Sequence, residues 1–222
     1  MVLTGFSLQL EEVRFTYPNK SGGFSLEAEH FSPGLCSALL GQNGSGKTTL
    51  GKLAAGILKP DSGRVLYDGQ DIADWSLGKI GRQVGYLFQD PSRQIFSPYP
   101  LDEVAFPLEL RGLPKPEAQR KARQLIGEFE LEDILDSTTY TLSRGEKQRL
   151  AIAAVIACDP RFLILDEPTT GLDKNRRDIL TDALRRLMGR GVGILLITHD
   201  RDFADLLGAD LRHMEGGQLK DV

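Results

Sequence analysis

The stretch "LCSALLGQNGSGKTTLGKLAAGIL", residues 35 to 58, constrains the fold more than any other part of the chain. A short apolar run enters a glycine-rich turn of the form G-x-x-x-x-G-K-[ST], and Leu50, Leu53, Ala54, Ile57 and Leu58 then recur at helical spacing. This order of patterns predicts a buried strand, a tight loop and an amphipathic helix. Gly41, Gly44 and Gly46 let the backbone approach a phosphate group closely, so N–H groups along the loop, which includes Gln42, Asn43, Ser45 and Thr49, can surround it. Lys47 would reach the β and γ phosphates of a nucleotide, and Thr48 would ligate Mg²⁺.

Two further apolar runs, "FLILD" at 162–166 and "GILLIT" at 193–198, flank a helical stretch bearing Ile179, Leu180, Ala183, Leu184, Leu187 and Met188. Continuous apolar strands alternating with helices predict an α/β fold, with a mostly parallel sheet covered on both faces. Ligands of such sheets sit at the carboxyl edge of the strands. Asp166 ends one strand there and can hold Mg²⁺; Glu167 follows it and can take a proton from an attacking water. His199, after "ILLIT", is placed to sense a phosphate; Gln89, after "VGYLF", has an amide able to ligate Mg²⁺ or orient water, but by itself reads as an ordinary loop residue. Taken singly, paired acids at a strand end are as often capping groups as catalysts, and a lone histidine is more often structural. The phosphate loop at the same edge favours catalysis.

The periphery reads differently. Phe6, Leu8 and Leu10, and again Phe24, Leu26 and Ala28, alternate as half-buried antiparallel strands, and "RVLYDGQDI" predicts a hairpin at Asp68-Gly69. An antiparallel β subdomain is therefore expected over about 1–34 and 62–73. Residues from about 95 to 158 carry helical patterning without a strand signal and predict an inserted helical subdomain, with Pro107 breaking or kinking any helix through "LDEVAFPLELRG". The remainder forms the P-loop core of a single domain of 222 residues. Ser143 and Glu146 in "LSRGEKQRL" form a capping-box pattern ahead of "LAIAAVIA". Such a helix start suits an anion, yet the phosphate loop lies a hundred residues earlier. It is either an ordinary cap or a contact to a nucleotide held by another molecule.

Composition narrows the classes. A net charge of −4 gives no footprint for nucleic acid, and Arg120, Lys121 and Arg123 are interrupted by Glu117 and Glu128 as on a solvated face. No run of eighteen apolar residues and no signal-peptide pattern is present, so a partner would have to supply any membrane span. Cys36 and Cys158 lack metal-site spacing and read as small buried hydrophobes in a reducing cytosol. The triplets "NKS" at 19–21 and "NGS" at 43–45 read as chance matches to a glycosylation acceptor.

The ordered set "GQNGSGKTT", "LFQDP", "LSRGE", "LILDEP", "GLD" and "ITHD" resembles the nucleotide-binding subunit of ATP-binding cassette (ABC) transporters and covers nearly the whole chain. The resemblance implies an ATPase using ATP and Mg²⁺, working as a head-to-tail dimer in which the segment Ser143, Arg144, Gly145 and Glu146 of one subunit closes over the ATP of the other. It further implies that Tyr17 in "FTYP" stacks on adenine and that Asp173 in "GLD" links the two sites. Arg144 stands where the family usually has glycine, and Glu146 where it commonly has glutamine. The segment "LFQDPSRQIFSPYPLDEVAFPLELRGL" is most similar to ATPases of energy-coupling factor importers of vitamins or nickel and cobalt ions, many of which continue further at the C-terminus. By that resemblance Ile95, Phe96 and Tyr99 would grip a permease helix, unless they pack in the core, and the protein would sit on the cytoplasmic face of the cell membrane beside permease subunits and a second ATPase subunit. A soluble ATPase of the same fold, acting for instance in cofactor assembly, is the alternative; a nucleotide-binding regulator without turnover is disfavoured because Glu167 and His199 are intact.

Overall fold

The computed structural model describes residues 6–18 and 23–221, so the "NKS" triplet and the first strand's lead-in before Phe6 lie outside the described residues. In chain order the elements are β1 (Leu8–Thr16), β2 (Gly23–Phe31), β3 (Cys36–Leu40), α1 (Lys47–Ala54), β4 (Ser62–Tyr67), β5 (Gln70–Asp71), α2 (Leu77–Gly81) and β6 (Val84–Leu87). They continue as α3 (Pro100–Leu110), α4 (Lys115–Glu128), α5 (Arg144–Ala157), β7 (Phe162–Asp166), α6 (Lys174–Gly189), β8 (Gly193–Ile197), α7 (Arg201–Leu206), β9 (Asp210–Glu215) and β10 (Gln218–Asp221).

Two sheets result, one ordered β2-β1-β4-β5 and one ordered β10-β9-β3-β8-β7-β6. The first is antiparallel throughout; in the second only β10 runs against its neighbour. The α/β class and the mostly parallel sheet are as the apolar runs predict. Strand alternation explains why those runs are apolar on both faces. Leu163 and Leu165 of β7 enter the core shared with α3 to α6, whereas Phe162 and Ile164 enter the core beneath α1 and the antiparallel sheet. Each fully buried side chain of this kind contributes about 1.5–3 kcal/mol.

Three local expectations are corrected. Ala28 is exposed, because it pairs with Glu11 on the solvent face, next to Glu12 at φ 51°, where the inward phase of β1 slips from Leu10 to Val13. Helix α1 stops at Ala54 rather than running to Leu58: Gly56 at φ 63° closes it, and Ile57 N–H donates to Lys52 O at 2.9 Å, leaving Ile57 exposed. Helix α3 continues past Pro107 rather than breaking there. One N–H is lost there, at a cost of about 3 kcal/mol, and burial of Val104, Ala105 and Leu108 against the helical core offsets it. The Asp68-Gly69 turn is present as expected, both residues having positive φ. Both cysteines are free, Cys36 buried and Cys158 half-buried, and burial pushes the Cys36 thiol up to about 12.

Candidate nucleotide site

The parallel register places the ends of β3, β8, β7 and β6 on one edge, with Leu39 level with Ile197, Asp166 with Ile197 and Leu87 with Leu165. A cavity of about 680 Å³ opens over that edge, and its lining includes Tyr17, the loop from Asn43 to Thr49, Gln89, Asp166 and Glu167. Residues that are far apart in sequence, predicted separately as site residues, thus meet at one opening.

The loop is shaped by what packs beneath it. Gly41 has φ 145°, and a Cβ there would lie 2.3 Å from Met214 O, so only glycine fits. The turn between β9 and β10 closes from below: Gly217 N–H donates to Ser45 O at 2.9 Å. Lys47 is nearly buried and its Nζ donates to Gly41 O at 2.7 Å and Gln42 O at 3.0 Å; burial holds its pKa below the usual lysine value. Ser45 Oγ is buried without a hydrogen-bond partner. The successive backbone N–H groups of the glycine-rich turn from Asn43 to Thr49, which lines the cavity, suit a phosphate.

Thr48 Oγ1 donates to Asp166 Oδ2 at 2.8 Å, and Tyr86 OH lies 3.5 Å from the same oxygen. Burial raises the Asp166 pKa, against the lowering effect of the Thr48 hydrogen bond. A hydroxyl, a carboxylate and the Gln89 amide are hard oxygen donors suited to Mg²⁺, which takes few protein ligands when phosphates complete its shell. The described residues hold no group of three or more His, Cys, Asp or Glu able to bind a metal without such help.

Glu167 adopts φ 54°, an uncommon backbone for a non-glycine residue that costs about 1–3 kcal/mol. It is held there by its own N–H donating to Ile197 O at 2.8 Å and by Gln148 Nε2 on α5, which donates to Glu167 O at 3.4 Å and Pro168 O at 3.1 Å. Its carboxylate accepts from Thr198 Oγ1 at 3.2 Å and meets His199 Nδ1 at 3.0 Å. The neighbouring Asp200 caps α7, accepts from Thr169 Oγ1 and pairs with Arg177 on α6.

The expected site residues at the starts of α5 and α6 lie outside that cavity. Ser143 caps α5 in a complete capping box: Ser143 N–H donates to Glu146 Oε2 at 2.7 Å, and Glu146 N–H donates to Ser143 Oγ at 3.3 Å. The Ser143 hydroxyl, which donates to Glu146 Oε2 at 2.7 Å, and after it the Ser143 N–H hold the Glu146 pKa below the usual carboxylate value. None of Ser143, Arg144, Gly145 and Glu146 lines the cavity around Lys47. Arg144 lines an adjoining cleft with Thr48, Gln89 and Asp166 of its own chain. Gly145 packs on the turn at Gly171, and Asp173 caps α6, accepting from Arg176 N–H at 3.0 Å. Tyr17 forms the cavity wall beside Phe15, edge to face at 4.8 Å.

Sequence reasoning missed Gln148, Thr198 and the Gly216-Gly217 turn. Thr198 ends the apolar run "GILLIT" and Gln148 sits among the charged residues of "RGEKQR", so neither position names its partner. The paired glycines mark a turn, and nothing local says that it lies under the phosphate loop.

The sequence profile described as ABC transporter matches residues 28–170. A protein of Pyrococcus abyssi named as an ABC transporter ATP-binding protein is 37% identical over 214 residues, covering 96% of this chain and 82% of its own length. One of Methanosarcina acetivorans, similarly named, is 40% identical over 195 residues, and the match covers 88% of this chain but only 32% of that relative. Among solved structures, cbiO1 from Clostridium perfringens, part of the ABC transporter complex cbiONQ, superposes with a TM-score of 0.75 at 33% identity, covering 96% of this chain and 86% of its own. With the phosphate loop, Asp166 and Glu167 at one sheet edge and a matching profile over most of the chain, this protein belongs to the ABC transporter family as an ATP-binding domain.

Proposed function

We propose that the protein hydrolyses Mg·ATP as the motor subunit of an ABC transporter, pairing head to tail with a second ATPase subunit around two nucleotides. The observation that carries this reading is the separation of two half-sites. The phosphate loop, Asp166 and Glu167 share one cavity, while the capped start of α5 is absent from its lining, Arg144 alone of the segment Ser143 to Glu146 reaching the adjoining cleft. A helix start with free N–H groups is useful to ATP only if it faces the cavity of another copy.

In this reading Lys47 and the loop N–H groups hold the phosphates, and Tyr17 stacks on the base. Thr48, Asp166 and Gln89 would hold Mg²⁺, which when bound neutralises charge developing on the transferred phosphoryl group. Glu167 takes the proton of the attacking water, with its carboxylate oriented by Thr198 and His199. Ser143 and Gly145 contact the γ-phosphate held by the partner, and Asp173 links the two sites. ATP thereby bridges the subunits, and its hydrolysis removes the bridge, which converts chemistry into opening and closing.

The permease would dock on the exposed aromatics of the helical region. Phe96, Tyr99 and Phe106 are 59%, 49% and 42% exposed, and Phe96 meets Phe106 edge to face at 4.9 Å. Ile95 packs inward on the helical core instead. No helix among the described residues is long and apolar enough to cross a membrane. A place on the cytoplasmic membrane face is therefore a matter of partner subunits. Likeness to cbiO1 and the segment 87–113 support an energy-coupling factor importer of a metal ion or vitamin.

Sedimentation of the Glu167→Gln variant with saturating Mg·ATP tests the dimer, and co-purification of the tagged protein with its genomically neighbouring permease tests transport. A variant that stays monomeric with ATP overturns the first. Recovery with soluble proteins alone would move the function to the cofactor-assembly alternative.

A further inference from the structure

Segment 94–98 is fixed at both ends by buried or half-buried polar groups that none of the roles above uses. At one end the Gln94 side chain clamps the strand leading to Gln89: Nε2 donates to Tyr86 O at 3.0 Å, and Oε1 accepts from Phe88 N–H at 3.1 Å. One amide thus continues the hydrogen-bonding of β6 where the strand has ended. At the other end Ser97 is tied to two separate helical elements. Its N–H donates to Glu103 Oε2 on α3 at 2.7 Å, and Phe96 N–H donates to the same oxygen at 3.1 Å. Its carbonyl accepts from Thr139 Oγ1 at 2.6 Å, and Thr139 N–H donates to Pro98 O at 2.9 Å.

Glu103 and Thr139 are 3% and 2% exposed, so these bonds are shielded from water and costly to leave unmade. Thr139 begins the short 3₁₀ turn Thr139–Thr141, from which the chain passes directly to the Ser143 cap of α5. Ser97 therefore stands between Gln89, four residues beyond Gly85 in the strand-edge loop, and Ser143, with Phe96 of the exposed aromatic face as its immediate neighbour.

We infer that Thr139 and Gln94 are positioning residues: through Ser97 they lock the Gln89 loop to the start of α5, so that displacement of the aromatic face changes both half-sites together. The consequence for turnover rests on the hydrolysis reading above; the mechanical link does not. Thr139 lines neither the cavity around Lys47 nor the adjoining cleft, and acts through Ser97.

The test compares Thr139→Val, which keeps the shape and removes the hydroxyl, with Thr139→Ser, which restores it. Hydrogen exchange is read at the Phe88 amide, and steady-state ATP turnover is read as kcat and KM separately. Thr139→Val is expected to speed exchange at Phe88 by about tenfold or more and lower kcat by about tenfold with KM for ATP within about twofold, the size expected for one buried hydrogen bond; Thr139→Ser returns both toward the parent. Unchanged Phe88 exchange in Thr139→Val overturns the link whether or not the protein hydrolyses ATP. Faster exchange with unchanged kcat overturns its role in turnover, and faster exchange in Thr139→Val beside a parent that lacks ATPase activity defeats the hydrolysis reading while leaving the link standing. Should Thr139→Val fail to fold, Gln94→Met at its half-buried site serves instead, with exchange read at the Ser97 amide, where unchanged protection overturns the link.

Discussion

His199 Nδ1 lies within hydrogen-bond distance of both oxygens of Glu167, 3.0 Å from Oε1 and 2.9 Å from Oε2, although the imidazole is 79% exposed and the carboxylate only 10%. The pair joins the ends of two neighbouring parallel strands, and the carboxylate is further held by Thr198. A buried carboxylate steered by an exposed ring is suited to accept a proton at a fixed point.

Replacement of that carboxylate should separate binding from turnover. Glu167→Gln is expected to keep ATP affinity within about threefold and lower the rate of phosphate release by about 10² or more, the range typical for loss of a general base. Phosphate-release assays beside nucleotide titrations check this, and turnover within about threefold of the parent removes Glu167 from the role.

Lys47 donates to two carbonyls of its own loop and is poised over the cavity floor. Lys47→Ala should weaken nucleotide binding by about 10- to 100-fold, as expected for a lost charge-assisted contact of about 1.5–3 kcal/mol. Titration with a fluorescent ATP analogue measures it. Undiminished affinity would place the phosphates elsewhere.

Asp166 is a buried carboxylate whose pKa is raised above its ordinary 3.8, chiefly by burial. The folded state therefore holds a proton that the unfolded chain releases more readily. Nucleotide-free stability falls as pH rises from 3.8 through the raised folded value, then levels off. Burial raises Glu103 as well, with the same sign. Asp166→Asn is expected to raise the melting temperature near neutral pH, flatten part of this pH dependence and abolish Mg²⁺-dependent ATP binding. Thermal melts across that window, with and without Mg·ATP, test all three, and a lowered melting temperature near neutral pH contradicts the burial argument.

The head-to-tail pairing proposed above bears on mixtures. Lys47→Ala spoils the cavity half-site and Ser143→Arg the helix-start half-site, so each homodimer is inactive. A mixed dimer of the two variants contains one site built from two intact halves. Mixing should therefore restore ATPase activity that neither variant has alone, whereas a helix start serving its own chain's cavity would leave every site in the mixture broken.

Removing only the cap is a milder change. Ser143→Ala should cost about 1 kcal/mol of unfolding free energy, the usual value for an N-cap. Urea denaturation measures it. Glu146→Gln, which can still accept from the Ser143 N–H, should cost less, and equal losses in the two variants would mean that the Ser143 hydroxyl is not the cap.

The sequence by itself determined the features that depend on neighbours a few residues away. The strand, loop and helix around Gly41 to Thr49, the alternation that fills two cores from β7, the turn at Asp68-Gly69 and the capping box at Ser143 are all set by local sterics, periodicity and short-range hydrogen bonds. The tertiary structure alone decided the survival of α3 through Pro107 and the placing of the Gly216-Gly217 turn against the phosphate loop. It also decided that Thr48 would meet Asp166 from 118 residues away. The physical reason is strand order: β3 lies beside β8 and β8 beside β7, so the contacts that make the site follow the sheet and not the chain. Burial against those neighbours outweighs a local cost such as one missing helical N–H, which no window of sequence records.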